Sequence, residues 1–419
     1  MAKAQDNIDY SKHVSAPVQT NIKLALAFAQ AVAKNQEDKS DNLIVSAHNA
    51  SAALSMVAMG ANGQTRDEMA QALYGVDGAA LDSKVAEYAE LDAKVKENNE
   101  GQVDVTTANG VWANKNNVEL RDSFVANVKG VFGADVSAED YADPATVKKI
   151  NDWAAKNTNN LITEILEELG SDDAVVLASA LHFKGEWTNK FDKKLTKDKT
   201  FTQDGGAEAT TPTMHQDFDE EGGFNYLEGK DYQAISMTYG TKDYKAKKYP
   251  TMRIVLVRPT DENVSARDFL AAQNNGTVPA WLSPRTYGDA TGFVEMPRLD
   301  ITQKHDVIPA LQDMGIKKAF GGGSFTDMVK KDGEKLFVSK VSHDVAFKTD
   351  EEGSEGAAVT TVGMTFECVR MPAPNVEMKL DRSFAFAVQD IKSGAVLFLG
   401  TINKPNKDTK PVSVSKLKM

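Results

Sequence analysis

Between Thr20 and Lys34 the apolar positions Ile22, Leu24, Leu26, Ala27, Phe28 and Val32 fall on one broad stripe at helical spacing, which predicts a helix. Asn49 to Leu73 is rich in Ala, Leu and Met and predicts a second helical stretch, with a turn at Gly60-Ala-Asn-Gly63. Thr65-Arg-Asp-Glu68 has the spacing of a capping box. Val147 to Leu169, built around Ile150, Trp153, Ala154, Leu161, Ile165 and Leu166, predicts a third helix, so the first third of the chain reads as helical.

Strand patterns then take over. Ala174 to Phe183 is a long run almost free of charge, as expected of a central strand covered on both faces. Met252 to Arg258 and Ala395 to Gly400 predict shorter buried strands. Leu336 to Lys348 alternates: Phe337, Ser339, Val341, His343, Val345 and Phe347 on one side, mostly polar residues on the other. That period of two predicts a strand in a sheet with unlike faces. Helices first and many strands later suggest one large mixed domain, not a doubly wound parallel one.

The segment after the alternating strand is the unusual one. Asp350-Glu-Glu-Gly-Ser-Glu-Gly-Ala-Ala opens it and Pro372-Ala-Pro374 closes it, with neither charge nor proline between Gly356 and Phe366. Small and β-branched residues dominate, which gives strand propensity without the guards that normally protect a sheet edge. If the segment joined a sheet, Ser354, Gly356, Ala358, Thr360, Val362 and Met364 would share one uncharged face, and Glu355 would fall on the other. Two readings stand: a flexible exposed loop, or a strand held in reserve.

Composition narrows the function classes. The 419 residues carry 48 Lys+Arg against 60 Asp+Glu, a net charge of −12, which argues against nucleic acid or an anionic membrane as the main partner. One cysteine, Cys368, leaves no internal disulfide and no cysteine-rich metal site. No run approaches the length of a membrane span. The six histidines, at 13, 48, 182, 215, 305 and 343, never stand at ligand spacing with a carboxylate. Gly321-Gly-Gly-Ser324 lacks the Lys-Ser/Thr of a phosphate loop, and no Gly-x-Ser-x-Gly elbow occurs. An enzyme is therefore not expected, and neither is a cofactor. Met1 to Tyr10 has no leader pattern, so the chain is expected to be either cytoplasmic or, as the preferred reading, secreted or periplasmic after signal removal.

Several motifs together resemble the serpin family, over almost the whole chain. Glu351-Glu-Gly-Ser-Glu-Gly-Ala-Ala358 resembles the family's hinge, and Phe337 to His343 the strand that feeds it. Asn42-Leu-Ile-Val-Ser46, Asn151-Asp-Trp153, Phe183-Lys-Gly-Glu-Trp187, Ser383-Phe-Ala-Phe386 and Gly394 to Gly400 resemble its other signatures, closing at Asn403-Lys-Pro405. The resemblance implies an α+β fold: a single domain over residues 1–405, with about nine helices, three β-sheets and an exposed reactive-centre loop at about residues 351–374. Residues 406–419 read as a mobile, Lys-rich extension. It further implies a monomeric inhibitor whose partner is a protease. That protease cleaves the loop and is trapped as an acyl-enzyme when the severed loop inserts into the central sheet as a new strand, releasing stored strain.

On this resemblance the hinge comprises Glu351, Glu352, Gly353, Ser354, Glu355, Gly356, Ala357, Ala358 and Thr360. It carries none of the bulky, proline or added charged residues of non-inhibitory relatives, which leaves a binding or chaperone protein as the alternative. The family's usual spacing from the hinge glycine places the scissile bond at Glu367–Cys368, suited to an acidic-specific protease. Phe366–Glu367 would suit a chymotrypsin-like pocket and Arg370–Met371 a trypsin-like one. Beneath the insertion path the family keeps a polar shutter, matched by Ser46, Asn49, Ser179 and His343, and at its mouth a breach, matched by Trp187. Asn49 and Ser179 look exchanged relative to the family's order, which predicts a hydrogen bond from Asn49 across to His343.

Overall fold

The computed structural model describes residues 10–170, 172–218, 224–243, 245–331, 333, 336–339, 341–354, 373–405 and 410–411. In chain order these form α1 (Ala16–Asn35), β1 (Leu43–Val45), α2 (Ala47–Gly60), α3 (Gly63–Tyr74), α4 (Leu81–Asn99), β2 (Asp104–Asn114), α5 (Asp122–Phe132), β3 (Asp135–Glu139), α6 (Pro144–Asn157) and β4 (Val175–Glu186). Next come β5 (Lys197–Thr202), β6 (Glu208–Phe218), β7 (Phe224–Glu228), β8 (Tyr232–Tyr239), β9 (Met252–Pro259), α7 (Ala266–Ala272), β10 (Gly288–Pro297), β11 (Leu299–Asp306), α8 (Ile308–Asp313) and β12 (Ser342–Thr349). The chain finishes with β13 (Gly353–Ser354), β14 (Asn375–Lys379), β15 (Phe384–Asp390), β16 (Val396–Ile402) and β17 (Lys410–Pro411).

Among the described residues the strands make three groups. The largest runs β1-β16-β15-β9-β8-β7-β10-β6-β17, with β14 on β10 and β5 on β6. β15 and β16 are buried at every position, so the main core is built around them. A second group has the order β13-β4-β2-β3, and β11 pairs with β12 alone. This mixed α+β architecture is the one the family resemblance implies.

Local chemistry explains where the elements differ from the sequence pattern. The Thr65-Arg-Asp-Glu68 match is not a cap, because α3 already starts at Gly63. Thr65 Oγ1 instead accepts from the Ser324 N–H, and Glu68 Oε2 from the N–H groups of Lys317 and Lys318. The third helix ends at Asn157, although its apolar spacing continues to Leu169. Asn159 and Asn160 take positive φ, 50° and 61°, and the Asn151 amide then captures the N–H groups of Ile165 and Leu166. Those two bonds offer the backbone an alternative to further helix. The strand expected from Leu336 starts only at Ser342 and runs one residue further, to Thr349. From His343 onward its burial does alternate as the sequence predicts. Phe337 stands 58% exposed before it. The helical first third also contains β2 and β3, and the extension expected to be mobile pairs with β6 at Lys410 and Pro411.

Candidate functional site

Among the described residues, β4 and β12 belong to separate strand groups. β4 pairs with β2 from Val175 to Lys184, in antiparallel register. Among the described residues its opposite edge pairs only at its end, where Gly185 and Glu186 oppose Ser354 and Gly353 of β13. Among the described residues no strand takes the rest of that edge, and β12 pairs with β11 only. The first five residues of β4 are accordingly half-buried, not the fully covered central strand that the apolar run predicts.

The short β13 is fixed from several directions. Gly353 adopts φ +149°, and a Cβ there would lie 2.2 Å from the Gly185 carbonyl oxygen. Only glycine meets both conditions. Ser354 is buried, its hydroxyl 3.1 Å from that of Tyr239. Tyr239 in turn stacks on Trp187 at 4.4 Å between centroids. The Trp187 indole N–H donates to the Asp350 carbonyl at 2.7 Å, and its backbone N–H to the Glu352 carbonyl at 2.9 Å. The Phe191 N–H donates to the Glu351 carbonyl at 3.0 Å.

One of the two sequence readings sets Glu351 and Glu352 in an exposed loop, but Glu351 is only 1% exposed. Arg298 reaches its carboxylate through Nε and Nη2, at 2.9 and 2.7 Å to Oε1, and the Thr196 hydroxyl donates to the same oxygen. Burial alone pushes this carboxyl upward, but Arg298 and then Thr196 more than reverse that and hold it below its ordinary value. Glu352 lies at the surface between Lys190 and Lys193, at 3.0 and 2.9 Å.

Next to β4 and β12, Ser46 caps α2 by accepting from the Asn49 N–H at 3.1 Å, and the Ser46 N–H donates to His343 Nε2 at 2.9 Å. Asn49 does not bond His343 as the sequence predicts. Its amide pairs with Ser179 on β4 twice, Nδ2 to the Ser179 carbonyl at 3.0 Å and the Ser179 hydroxyl to Oδ1 at 2.6 Å. His343 faces His305 directly across the β11–β12 pair and packs edge-on against Phe28. Glu355, Gly356, Ala357, Ala358 and Thr360 of the hinge, and the candidate bait residues Phe366, Glu367, Cys368, Arg370 and Met371, lie outside the described residues.

A family model described as serpin (serine protease inhibitor) matches residues 19–405. The chain belongs to the serpin family. Serpin-Z3 of Arabidopsis thaliana is 30% identical over 399 residues, covering 90% of this chain and 95% of that one. The leukocyte elastase inhibitor of Equus caballus is 26% identical over 381 residues, covering 89% and 96%. The crystal structure of human thyroxine-binding globulin complexed with thyroxine superposes with a TM-score of 0.78 at 22% identity, covering 94% of this chain and all of that one. At that identity the likeness speaks for the serpin fold alone.

Motif matching on the serpin pattern missed Arg298, Thr196, Tyr239 and His305. Each acts across a long sequence separation, so nothing near it in the chain marks it. Tyr239 alone leaves a trace, as the end of a β8 strand with mostly buried positions. The two histidines have a measurable consequence. Burial and then His305 push His343 down to about 3, and burial lowers His305 as well. With folded values below the ordinary 6.5, the unfolded chain takes up these protons first. Stability is therefore complete above pH 6.5 and falls as the pH drops below it, by about 1.4 kcal/mol per pH unit for each fully shifted group. Glu351 adds a loss below about pH 4.5. Denaturant midpoints measured from pH 8 to pH 4 check this: His343→Gln flattens the slope between 6.5 and 4.5, and an unchanged slope would refute the assignment.

Proposed function

We propose that this serpin is a suicide-substrate inhibitor of a serine or cysteine protease, with Glu367–Cys368 as its bait bond. The protease nucleophile attacks the Glu367 carbonyl, the Cys368 amine departs with a proton, and Glu367 is left as an acyl-enzyme. The freed segment then threads beside β4, and the attached protease is carried with it before water can release it. One observation carries this reading: Gly353 and Ser354 already pair with the end of β4, while the rest of that edge has no partner among the described residues. A strand begun at the right place and in the right direction needs only chain length to continue. The name of the horse relative, an elastase inhibitor, lends support to inhibition, and Glu367 favours an acidic-specific target.

The test is a panel of acidic-, aromatic- and basic-specific proteases, each incubated with the protein and run in hot detergent. The expected result is a covalent complex with the acidic-specific enzyme and a new N-terminus at Cys368. A new N-terminus at Glu367 or Met371 would move the bait bond to Phe366–Glu367 or Arg370–Met371. Cleavage without a complex for every protease would replace inhibition by a binding or chaperone role.

A further inference from the structure

Three Asn-Gly pairs occur in the chain, at Asn62–Gly63, Asn109–Gly110 and Asn275–Gly276. In such a pair the backbone nitrogen can reach the side-chain amide, because glycine brings no Cβ to hinder the approach. The fold treats the three differently. The Asn62 amide nitrogen donates to Asp327 at 3.2 Å, and Gly63 opens α3. Asn109 is buried, its amide nitrogen donates to the Phe132 carbonyl at 3.1 Å, and Gly110 is paired with both Ala178 and Asp135 inside its sheet. Asn275 stands exposed in the link that follows α7. Its Oδ1 accepts two hydrogen bonds, from the Thr277 N–H at 3.1 Å and from the Thr277 hydroxyl at 2.6 Å. Those bonds curl the side chain over the peptide that joins it to Gly276. Among the described residues nothing holds the Asn275 amide nitrogen, and the Gly276 N–H donates to no acceptor. Gly276 takes φ +82°, with no atom within 4 Å of where a Cβ would stand, so this side of the turn is open.

We propose that Asn275 is a site of self-modification, converted through a cyclic imide to aspartate and isoaspartate. A base in the solvent takes the Gly276 amide proton, and the nitrogen attacks Asn275 Cγ. The two Thr277 donors receive the negative charge that gathers on Oδ1, as an oxyanion hole does. The new Cγ–N bond closes the ring, the Cγ–Nδ2 bond breaks, and Nδ2 takes up a proton and leaves as ammonia. Water then opens the imide at either carbonyl. One opening gives aspartate; the other routes the backbone through the side chain and gives isoaspartate. Water is the only co-reactant, and nothing is oxidised or reduced. Because the link is exposed, the isoaspartyl carboxylate is within reach of an enzyme that methylates such groups from S-adenosylmethionine. None of this depends on the inhibitory reading given above.

Ageing the full chain at neutral and at mildly alkaline pH, followed by peptide mapping, tests the assignment. The exchange of an amide for a carboxylate adds about 1 Da. The Asn275 peptide is expected to gain it at least about tenfold faster than the Asn62 and Asn109 peptides. The rate rises with pH, because the attacking nitrogen must first lose its proton. Methyl transfer from S-adenosylmethionine by an isoaspartyl methyltransferase identifies the isoaspartyl product. In urea, where the fold no longer distinguishes the three pairs, their rates converge. Thr277→Val slows the reaction of the folded protein at least about threefold, whereas Thr277→Ser keeps the hydroxyl and reacts as the parent chain does. If Thr277→Val fails to fold, the comparison of the three parent sites decides alone. Equal rates at the three sites in the folded protein, no mass gain at Asn275, a lead that persists in urea, or a folded Thr277→Val as fast as the parent overturns the proposal.

Discussion

Cleavage between Phe366 and Met371 raises the melting temperature by roughly 10 °C or more. Ten positions of β4, Val175 to Lys184, have one edge without a strand partner among the described residues. A severed segment that fills this space pairs about ten residues, at about 1 kcal/mol net for each hydrogen bond, so the gain is on the order of 10 kcal/mol. A chain of 419 residues melts with an entropy of roughly 0.9 kcal/mol/K, which turns that gain into roughly 10 °C. The gain rivals the whole stability of an ordinary domain, so the intact form persists because a barrier protects it. Scanning calorimetry of the intact and the nicked protein measures the difference. A nicked protein that melts at or below the intact one removes the basis for inhibition by insertion.

Gly353→Val ejects β13 from its place beside β4. The substitution forces a β-branched residue into φ +149° and sets its Cβ against the Gly185 carbonyl oxygen at 2.2 Å. Strained backbone alone costs about 1–3 kcal/mol, and backbone atoms on β4 give way less easily than a flexible side chain. The pairing with Gly185 and Glu186 is lost, and with it the burial of Ser354 against Tyr239. Glu351 then leaves its buried place beside Arg298 and becomes accessible. A glutamyl endopeptidase should cut the variant after Glu351 or Glu352 at least tenfold faster than the parent chain. Equal rates would mean that the glycine is dispensable to the docked hinge. Gly353→Ala provides the milder case, with the same direction and a smaller change.

Periodicity disclosed the elements whose neighbours are predictable from local pattern. The buried alternation of His343, Val345 and Phe347 is one example, and the stripe of α1 is another. It failed where a polar side chain won a competition for the backbone. Asn151 ends the third helix by bonding residues fourteen and fifteen positions later, and apolar spacing carries no hint of that. The candidate site was legible in outline, since Gly353, Ser354 and Trp187 are the residues that meet there. Its burial was not legible. A Glu-Glu-Gly-Ser turn looks solvated because the arginine that neutralises Glu351 lies 53 positions upstream, at Arg298. The unpaired edge was equally hidden, because an uncharged run looks the same whether a strand has one neighbour or two.

The placement of β15 and β16 bears on how the chain reaches this form during its synthesis. They lie inside the largest sheet, between β1 and β9, yet they are made after nearly everything that surrounds them. While the ribosome is still translating, β1 and β9 have no interior to pack on, and their apolar faces must wait in solvent or under a chaperone. Arrival of Phe384 to Ile402 then completes the core in one late step. Truncation by a premature stop codon near residue 380 would therefore yield an aggregating product, not a smaller soluble serpin.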